Sequence, residues 1–348
     1  MNTFTQSLFR RIGLGLVAGV AYSLVRDQLR YRSLKNAVAV VSGGSRGLGL
    51  VTAKELAYEG ANLALLARDK DELERAKKIV EMAIPKCEVI ILECDVTKPH
   101  QVDQAIGEVM NHFGKIDVVV NNAGIISSAP FENVTKKDYE DSLDVHFWAP
   151  FYVNRACLNY MTRGARIVNI SSIGGLIPVP HRAAYCTGKF ALTGYSESLR
   201  ADLMSRGIYV TTVCPGLMRT GSSRHALFKG QVKKEYAWFS LIASMPLLTV
   251  SAEKAARRIV SALKVGKAET TISMSARMAS MFHSHFPGIF ADISAVANLL
   301  LPGPTADTQR SVEGKDAQSF ISPSVLTSLG DRAAERNNEI PPQSDQLH

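Results

Sequence analysis

From Asn36 onward the chain alternates short apolar runs with longer segments whose apolar positions recur at helical spacing. Ala37–Val41 is a continuous apolar run that ends in Ser42–Gly43–Gly44–Ser45–Arg46–Gly47–Leu48–Gly49. A run apolar on both faces and closed by glycines predicts a buried parallel strand. The same reading places strands at Asn62–Leu66, Glu88–Leu92, Ile116–Val120, Arg166–Ile170, Ile208–Val213 and Glu269–Ser273. Helices are predicted over Leu48–Glu59, from Asp69 to Ala83, and over Val102–Phe113, Lys136–Met161, Tyr185–Ser205 and Ser251–Leu263. Gly60 and Gly114 stand where helices end, and Asp69-x-x-Glu72 reads as a capping box. Strands alternating with helices imply right-handed crossovers and an α/β fold, a doubly wound parallel sheet covered on both faces. Such sheets bind ligands beyond the C-terminal ends of their strands. The segments rich in glycine, asparagine and serine all fall at such ends.

The two ends of the chain differ from this middle. Ile12–Val25 is a 14-residue uncharged run between Arg10–Arg11 and Arg26. As a helix it spans about 21 Å, against ~30 Å for a hydrocarbon core, and extension to Leu8 with snorkelling arginines narrows the gap. A membrane anchor or interfacial helix, a cleaved signal peptide and a helix buried against the domain all remain open. Beyond Pro302 the composition turns polar and proline-containing, which reads as a flexible tail with a short helix near Val325–Arg336. The expected organisation is therefore an N-terminal segment at 1–35, a single main domain at 36–274, an apolar helical extension at 275–302 containing Phe286–Leu301, and a tail at 303–348.

Composition narrows the function classes. Hydrophobic residues make up 46% and charged residues 21%, enough for a sizeable core. The net charge of +8 is uneven: residues 1–35 carry six basic residues and one acid, whereas 303–348 carry four basic and seven acidic. No basic stripe interleaves with aromatics, so no nucleic-acid partner is expected. Cys87, Cys94, Cys157, Cys186 and Cys214 are scattered and odd in number, which argues against a disulfide framework or zinc site. The histidines lack H-E-x-x-H spacing, and no metal is expected.

The candidate chemistry lies at the strand ends. Gly43, Gly47 and Gly49 clear side chains from a turn into which the next helix points its free N–H groups, a ready seat for a pyrophosphate. At the end of the second strand an acid would favour NAD by binding the ribose 2′-hydroxyl. Ala67 and Arg68 stand there instead, and Arg46 lies inside the glycine turn, so a 2′-phosphate and hence NADP(H) is favoured. Asp95–Val96 is placed to contact adenine, although a plain turn acid explains Asp95 as well. Tyr185 and Lys189 are four apart on a helix and share a face. An ammonium beside a phenol is expected to lower its pKa toward working pH, allowing it to exchange a proton with a substrate oxygen that Ser172 holds.

In its motifs the chain resembles the short-chain dehydrogenase/reductase (SDR) family. The matching pieces are Ser42–Gly43-x-x-x-Gly47-x-Gly49, Asn121–Asn122–Ala123–Gly124, Ser172 thirteen residues before Tyr185, Tyr185-x-x-x-Lys189, and Pro215–Gly216-x-Met218-x-Thr220. They occur in the family's order over roughly two-thirds of the chain. The resemblance implies a Rossmann-type sheet and Ser172, Tyr185 and Lys189 as catalytic groups. It also implies a cofactor site of Ser42, Gly43, Ser45, Arg46, Gly47, Leu48, Gly49, Arg68, Asp95, Val96, Asn122, Ala123, Gly124, Tyr185, Lys189, Pro215, Gly216 and Thr220. Within it, Asn121 would support the central strand, Lys189 would contact the nicotinamide ribose, and Pro215, Gly216 and Thr220 would line the nicotinamide. A homo-oligomer is implied as well.

Ser42 replaces the family's usual threonine and keeps the hydroxyl. His146 stands where the family commonly has an asparagine that helps hold a relay water. It is read either as a substitute in that relay or as a packed histidine. Gly221–Val250 corresponds to the family's variable lid; its aromatic and aliphatic content suits a lipophilic carbonyl or alcohol, and a dimer or membrane contact almost as well. The expected activity is NADP(H)-dependent interconversion of a carbonyl and an alcohol. The alternatives are an NAD-linked alcohol dehydrogenase and a non-catalytic, dinucleotide-sensing interaction protein. If the N-terminal run spans a membrane, its larger basic flank would hold the catalytic domain on the cytoplasmic side, associated with the membrane through residues 8–25.

Overall fold

The computed structural model describes residues 19, 21–245, 249–307, 310–317 and 328–340. Seven strands form one parallel sheet: β1 (Val38–Ser42), β2 (Asn62–Ala67), β3 (Val89–Glu93), β4 (Val118–Asn121), β5 (Arg166–Ile170), β6 (Tyr209–Cys214) and β7 (Glu269–Thr271). Their order is β7-β6-β5-β4-β1-β2-β3. The chain winds outward from β1 to β3, then returns to start β4 on the other side of β1. The strand order reverses between β1 and β4, and a crevice opens beyond their C-terminal ends.

The helices are α1 (Gly47–Tyr58), α2 (Lys70–Ala83), α3 (Pro99–Phe113), α4 (Lys136–Leu143), α5 (Ala149–Leu158), α6 (Ala183–Leu203), α7 (Val232–Ser244), α8 (Ala252–Lys264), α9 (Met274–His285), α10 (Pro287–Asn298) and α11 (Ser328–Arg336). Along β1, Ala39 and Val41 pack with α1, α2 and α8 on one face, while Val38 and Val40 pack with α3, α5 and α6 on the other. Both faces are thus buried, which is why β1 reads as unbroken apolar sequence.

Most element ends differ from the sequence reading by one to three residues, and two differences have a visible cause. β4 starts at Val118 rather than Ile116, because Asp117 is used otherwise: its carboxylate accepts the Val38 N–H at 2.9 Å and pairs with Arg32 and Lys115. The helix expected over Lys136–Met161 is interrupted by a π-helical turn at Asp144–Trp148. Pro150, just beyond it, has no N–H to give back to the preceding turn, and the wider turn accommodates that loss.

Residues 21–30 are helical, and the chain after them is tied to the N-terminal ends of the strands. Arg32 N–H donates to the Lys264 carbonyl at 2.8 Å. Buried Arg166 donates to the carbonyls of Leu263, Gly164 and Arg30 and lies 4.4 Å from the Tyr209 ring centroid. Arg166→Ala strands these buried carbonyls, and a loss of roughly 3–5 kcal/mol in unfolding free energy is expected by denaturant titration. Among the described residues no helix is long and apolar enough to cross a membrane. Most of the Ile12–Val25 run lies outside the described residues. The apolar helix expected over Phe286–Leu301 is α10, beside the C-terminal ends of the strands, so it and residues 30–32 are at opposite ends of the sheet.

The lid is more self-contained than its composition suggests. Phe228 and Tyr236 are fully buried in a small core with Ala226 and Ala317, and Phe239 packs against it. Short strands at Ser127–Ser128, Leu227–Phe228 and Val312–Glu313 join the lid to the loop after β4. Much of the apolar content read as substrate-facing is therefore spent on holding the lid itself.

Candidate active site

β1 leads straight into the glycine turn. Gly43 has φ +64°, and a Cβ there would lie 2.9 Å from the Ala123 backbone. A Cβ on Gly49 would lie 1.9 Å from the Gly43 carbonyl oxygen. The turn is laced to the end of β4: Asn122 Nδ2 donates to the Gly43 carbonyl at 3.0 Å, and the Asn122 and Ala123 N–H groups donate to Ser42 Oγ at 3.2 and 3.3 Å. Ser42, Gly43, Asn122 and Ala123 thus form one unit at the switch point, with Gly124 following. Asn121 supports the central strands, donating through Nδ2 to Asn154 and Asn169 at 2.8 Å each.

The adenosine side is more mixed. Arg46 pairs with Glu72 at 3.3 Å and with Glu339 at 2.8 Å, and Ser45 Oγ donates to Glu72. Arg68 is exposed just past β2. The Asp95 carboxylate accepts the Thr97 N–H and hydroxyl, the pattern of a turn acid, while Val96 is buried. The first turn of α1 has no side-chain cap. With Leu48 buried beside it, this N-terminus fits an anionic diphosphate, and its Gly47 N–H, which here donates to the Asn337 carbonyl at 2.8 Å, is one of its donors.

Ser172, Tyr185 and Lys189 come together at the end of β5. Ser172 caps a 3-10 turn at Ile173–Gly175, its Oγ accepting the Gly174 N–H at 3.1 Å, and its hydroxyl is near enough to the Tyr185 phenol to favour the ionised form. Lys189, one turn along α6, is buried; its Nζ donates to the Ile170 carbonyl at 2.9 Å and lies 5.8 Å from the Tyr185 ring centroid. The expected lowering of the phenol pKa is not found. Burial pushes Tyr185 above its ordinary value of 10.0, against the lowering effects of Ser172 and Arg182. Burial also brings Lys189 down from 10.5 to about 7, so the ammonium that was to stabilise phenolate is itself only partly charged near neutral pH.

His146 lies on the π-helical turn, fully buried, edge-on to Tyr185 with ring centroids 5.4 Å apart. Neither ring nitrogen has a protein partner. A Cβ on Gly124 would lie 3.4 Å from His146 Nε2 and 3.7 Å from Lys189 Nζ, so both nitrogens face the same small space. Burial first, then Lys189, hold the imidazole well below its ordinary pKa of 6.5.

On the far side of the crevice, Pro215 accepts the Ile173 N–H at 2.7 Å, and a Cβ on Gly216 would lie 2.4 Å from Ser273 Oγ. The Thr220 hydroxyl pairs with Ser222. Sequence reasoning missed two features. Arg182, three residues before Tyr185, donates to the Ser127 carbonyl and stacks 4.3 Å from the Phe239 ring centroid, joining α6 to the lid. Its spacing from Tyr185 was visible, but its link to the lid was not. The second is the segment around Asn337–Glu339, which nothing in the local pattern connects to the glycine turn.

The sequence model of the short chain dehydrogenase family matches residues 37–228, more than half of the chain. The chain belongs to this family. The SDR chain is 33% identical over 211 residues to a dehydrogenase/reductase SDR family protein 7-like from Anopheles gambiae, covering 59% of this chain and 66% of that protein. It is 33% identical over 198 residues to 11-beta-hydroxysteroid dehydrogenase-like 3 of Arabidopsis thaliana, covering 56% and 63%. In both cases the match spans less than two-thirds of the relative's length. Among solved structures, a short chain dehydrogenase from Burkholderia cenocepacia in complex with NADP superposes with a TM-score of 0.60 at 27% identity, covering 71% of this chain and 100% of that one.

Proposed function

We propose that this SDR protein interconverts a carbonyl and an alcohol using NADP(H), with Tyr185 as the proton-exchanging group. The meeting of Ser172, Tyr185 and Lys189 at the C-terminal end of β5 carries the reading. The dinucleotide would supply the hydride. Ser42, Gly43, Ser45, Gly47, Leu48, Gly49, Asn122, Ala123 and Gly124 would hold its diphosphate half, Arg46 and Arg68 its 2′-phosphate, and Asp95 and Val96 its adenine. Pro215, Gly216, Thr220 and Lys189 would hold the nicotinamide end.

Each catalytic side chain has a defined task. Ser172 Oγ holds the substrate oxygen beside the Tyr185 hydroxyl. Tyr185 is protonated at neutral pH, as reduction requires of a general acid, and oxidation needs the phenolate. The phenol itself therefore limits reduction, and favours oxidation, only above 10.0, while loss of the Lys189 charge near pH 7 modulates both directions; rates measured in both directions against pH check this. His146, neutral and facing the same space as Lys189, would stand in the proton path behind Lys189. His146→Ala should lower turnover about tenfold and change its pH profile, with His146→Asn restoring part of both. An unchanged profile in His146→Ala reduces His146 to packing.

A lipophilic substrate is supported by a cavity of about 520 Å³ beside the start of α6. It is lined by Pro130, Phe131, Pro178, Val179, Ala183 and α10's Ala295, among others. Tyr185 itself is not one of its lining residues, so the cavity suits the remote part of a substrate whose oxygen lies at Ser172. Exposed Met278, Ile289, Ile293 and Val296 on α9 and α10 support a membrane-surface role at this end of the sheet, and exposed Trp148 and Phe190 support self-association.

One observation favours the NAD-linked reading: Arg46 is already paired with two carboxylates. Titrating the full chain with NADPH and with NADH, followed by nucleotide fluorescence, separates the two. Tighter NADPH binding is expected, and tighter NADH binding overturns the arginine argument.

A further inference from the structure

The C-terminal residues cross the glycine turn. After α11 the chain folds back, and the Gly47 N–H at the start of α1 donates to the Asn337 carbonyl at 2.8 Å. Asn338 Nδ2 donates to the carbonyls of Ser45 at 2.8 Å and Glu72 at 3.1 Å, and Arg75 Nε donates to Asn338 Oδ1. Asn337 Nδ2 reaches across to the Thr220 carbonyl at 3.2 Å. Glu339 brings a carboxylate to Arg46 at 2.8 Å and to His225 at 3.3 Å. Its Oε1 lies 2.6 Å from where a Cβ of Gly47 would stand, inside the space that the missing side chain leaves for a ligand. The segment is held closely: Glu339 is 7% exposed, Asn337 3% and Asn338 5%.

These contacts reproduce the demands of the dinucleotide's phosphates. A carbonyl oxygen takes a helix N-terminal N–H, and a carboxylate takes the guanidinium nearest the turn. The span from Ser45 to Thr220 runs from the adenosine side of the crevice to the nicotinamide side. A dinucleotide and this segment cannot both use the Gly47 N–H and the Arg46 guanidinium.

We propose that Asn337–Asn338–Glu339 is a built-in competitor for the dinucleotide site, and that cofactor binding requires its release. The proposal rests on the dinucleotide reading above. The free affinity is reduced by the fraction of chains whose segment is docked. Because Glu339 engages Arg46, the reduction is greater for NADPH than for NADH.

Asn338 offers the test. It has φ +59° and takes part in three of the hydrogen bonds, so Asn338→Ala removes them and disfavours the docked backbone. Glu339→Arg, a second variant, sets two guanidiniums face to face. Both are made in the full chain and titrated with NADPH and NADH by nucleotide fluorescence, with hydrogen exchange of residues 328–340 followed with and without NADPH. The expected result is about tenfold tighter NADPH binding in both variants, a smaller gain for NADH, and faster exchange of 328–340 when NADPH binds the unaltered chain. Unchanged or weaker NADPH binding in the variants overturns the proposal. So does greater protection of 328–340 by NADPH, which would make the segment a lid over bound cofactor. If neither the unaltered chain nor the variants bind either dinucleotide, the dinucleotide reading itself falls and the competitor with it.

Discussion

Tyr185→Phe is expected to lower turnover by about 10²- to 10⁴-fold with little change in NADPH affinity. The phenol oxygen is the group that the geometry sets beside Ser172, and phenylalanine removes it while keeping the ring. The ring itself has structural work, packing edge-on against His146 at 5.4 Å, so its retention should preserve the fold. Ser172 accepts the Gly174 N–H at 3.1 Å and so stays in place without the phenol hydroxyl. Single-turnover rates at saturating NADPH, with thermal unfolding as a control, check this. A variant with ordinary turnover would remove Tyr185 from the chemistry.

The second large effect is expected at Gly49→Ala. The new Cβ would stand 1.9 Å from the Gly43 carbonyl oxygen and 2.5 Å from Asn122 Nδ2. No flexible side chain can yield there, because the nearer atom is backbone and the other belongs to the link that fastens β4 to the turn. Either α1 moves away from β1 or the turn opens. A loss of about 3 kcal/mol is expected, some 6–12 °C in the melting temperature, with NADPH binding reduced below detection. Gly107→Ala is the contrast: its Cβ meets nothing within 4 Å, and the substitution should leave binding unchanged.

The sheet could be read from the sequence because its inner strands are buried on both faces and most of its crossover helices end in glycine or start at a capping acid. Asp69 does accept the Glu72 N–H as its spacing predicts, and Gly114 does close α3 at φ +71°. The break at Asp144–Trp148 was hidden, since the apolar spacing around it is compatible with an unbroken helix and only Pro150 hints at a wider turn. Ser172, Tyr185 and Lys189 were found by spacing, but their electrostatics were not. The sign of the Tyr185 shift depends on how far burial desolvates both it and Lys189, which spacing cannot convey. The lid's aromatics were visible as apolar content, yet whether Phe228 and Tyr236 face a ligand or each other is decided by the fold. The Asn337–Glu339 contacts join residues nearly three hundred positions apart through one ion pair and a few hydrogen bonds, and no local pattern announces them.

The most direct test of the central claim is NADPH consumption by the full chain, at a concentration that saturates it, against a panel of lipophilic ketones and aldehydes, with Tyr185→Phe run in parallel. The account predicts consumption with at least one carbonyl and its loss in Tyr185→Phe. NADPH that binds yet is consumed with no carbonyl in the panel, or is consumed equally by Tyr185→Phe, would contradict it.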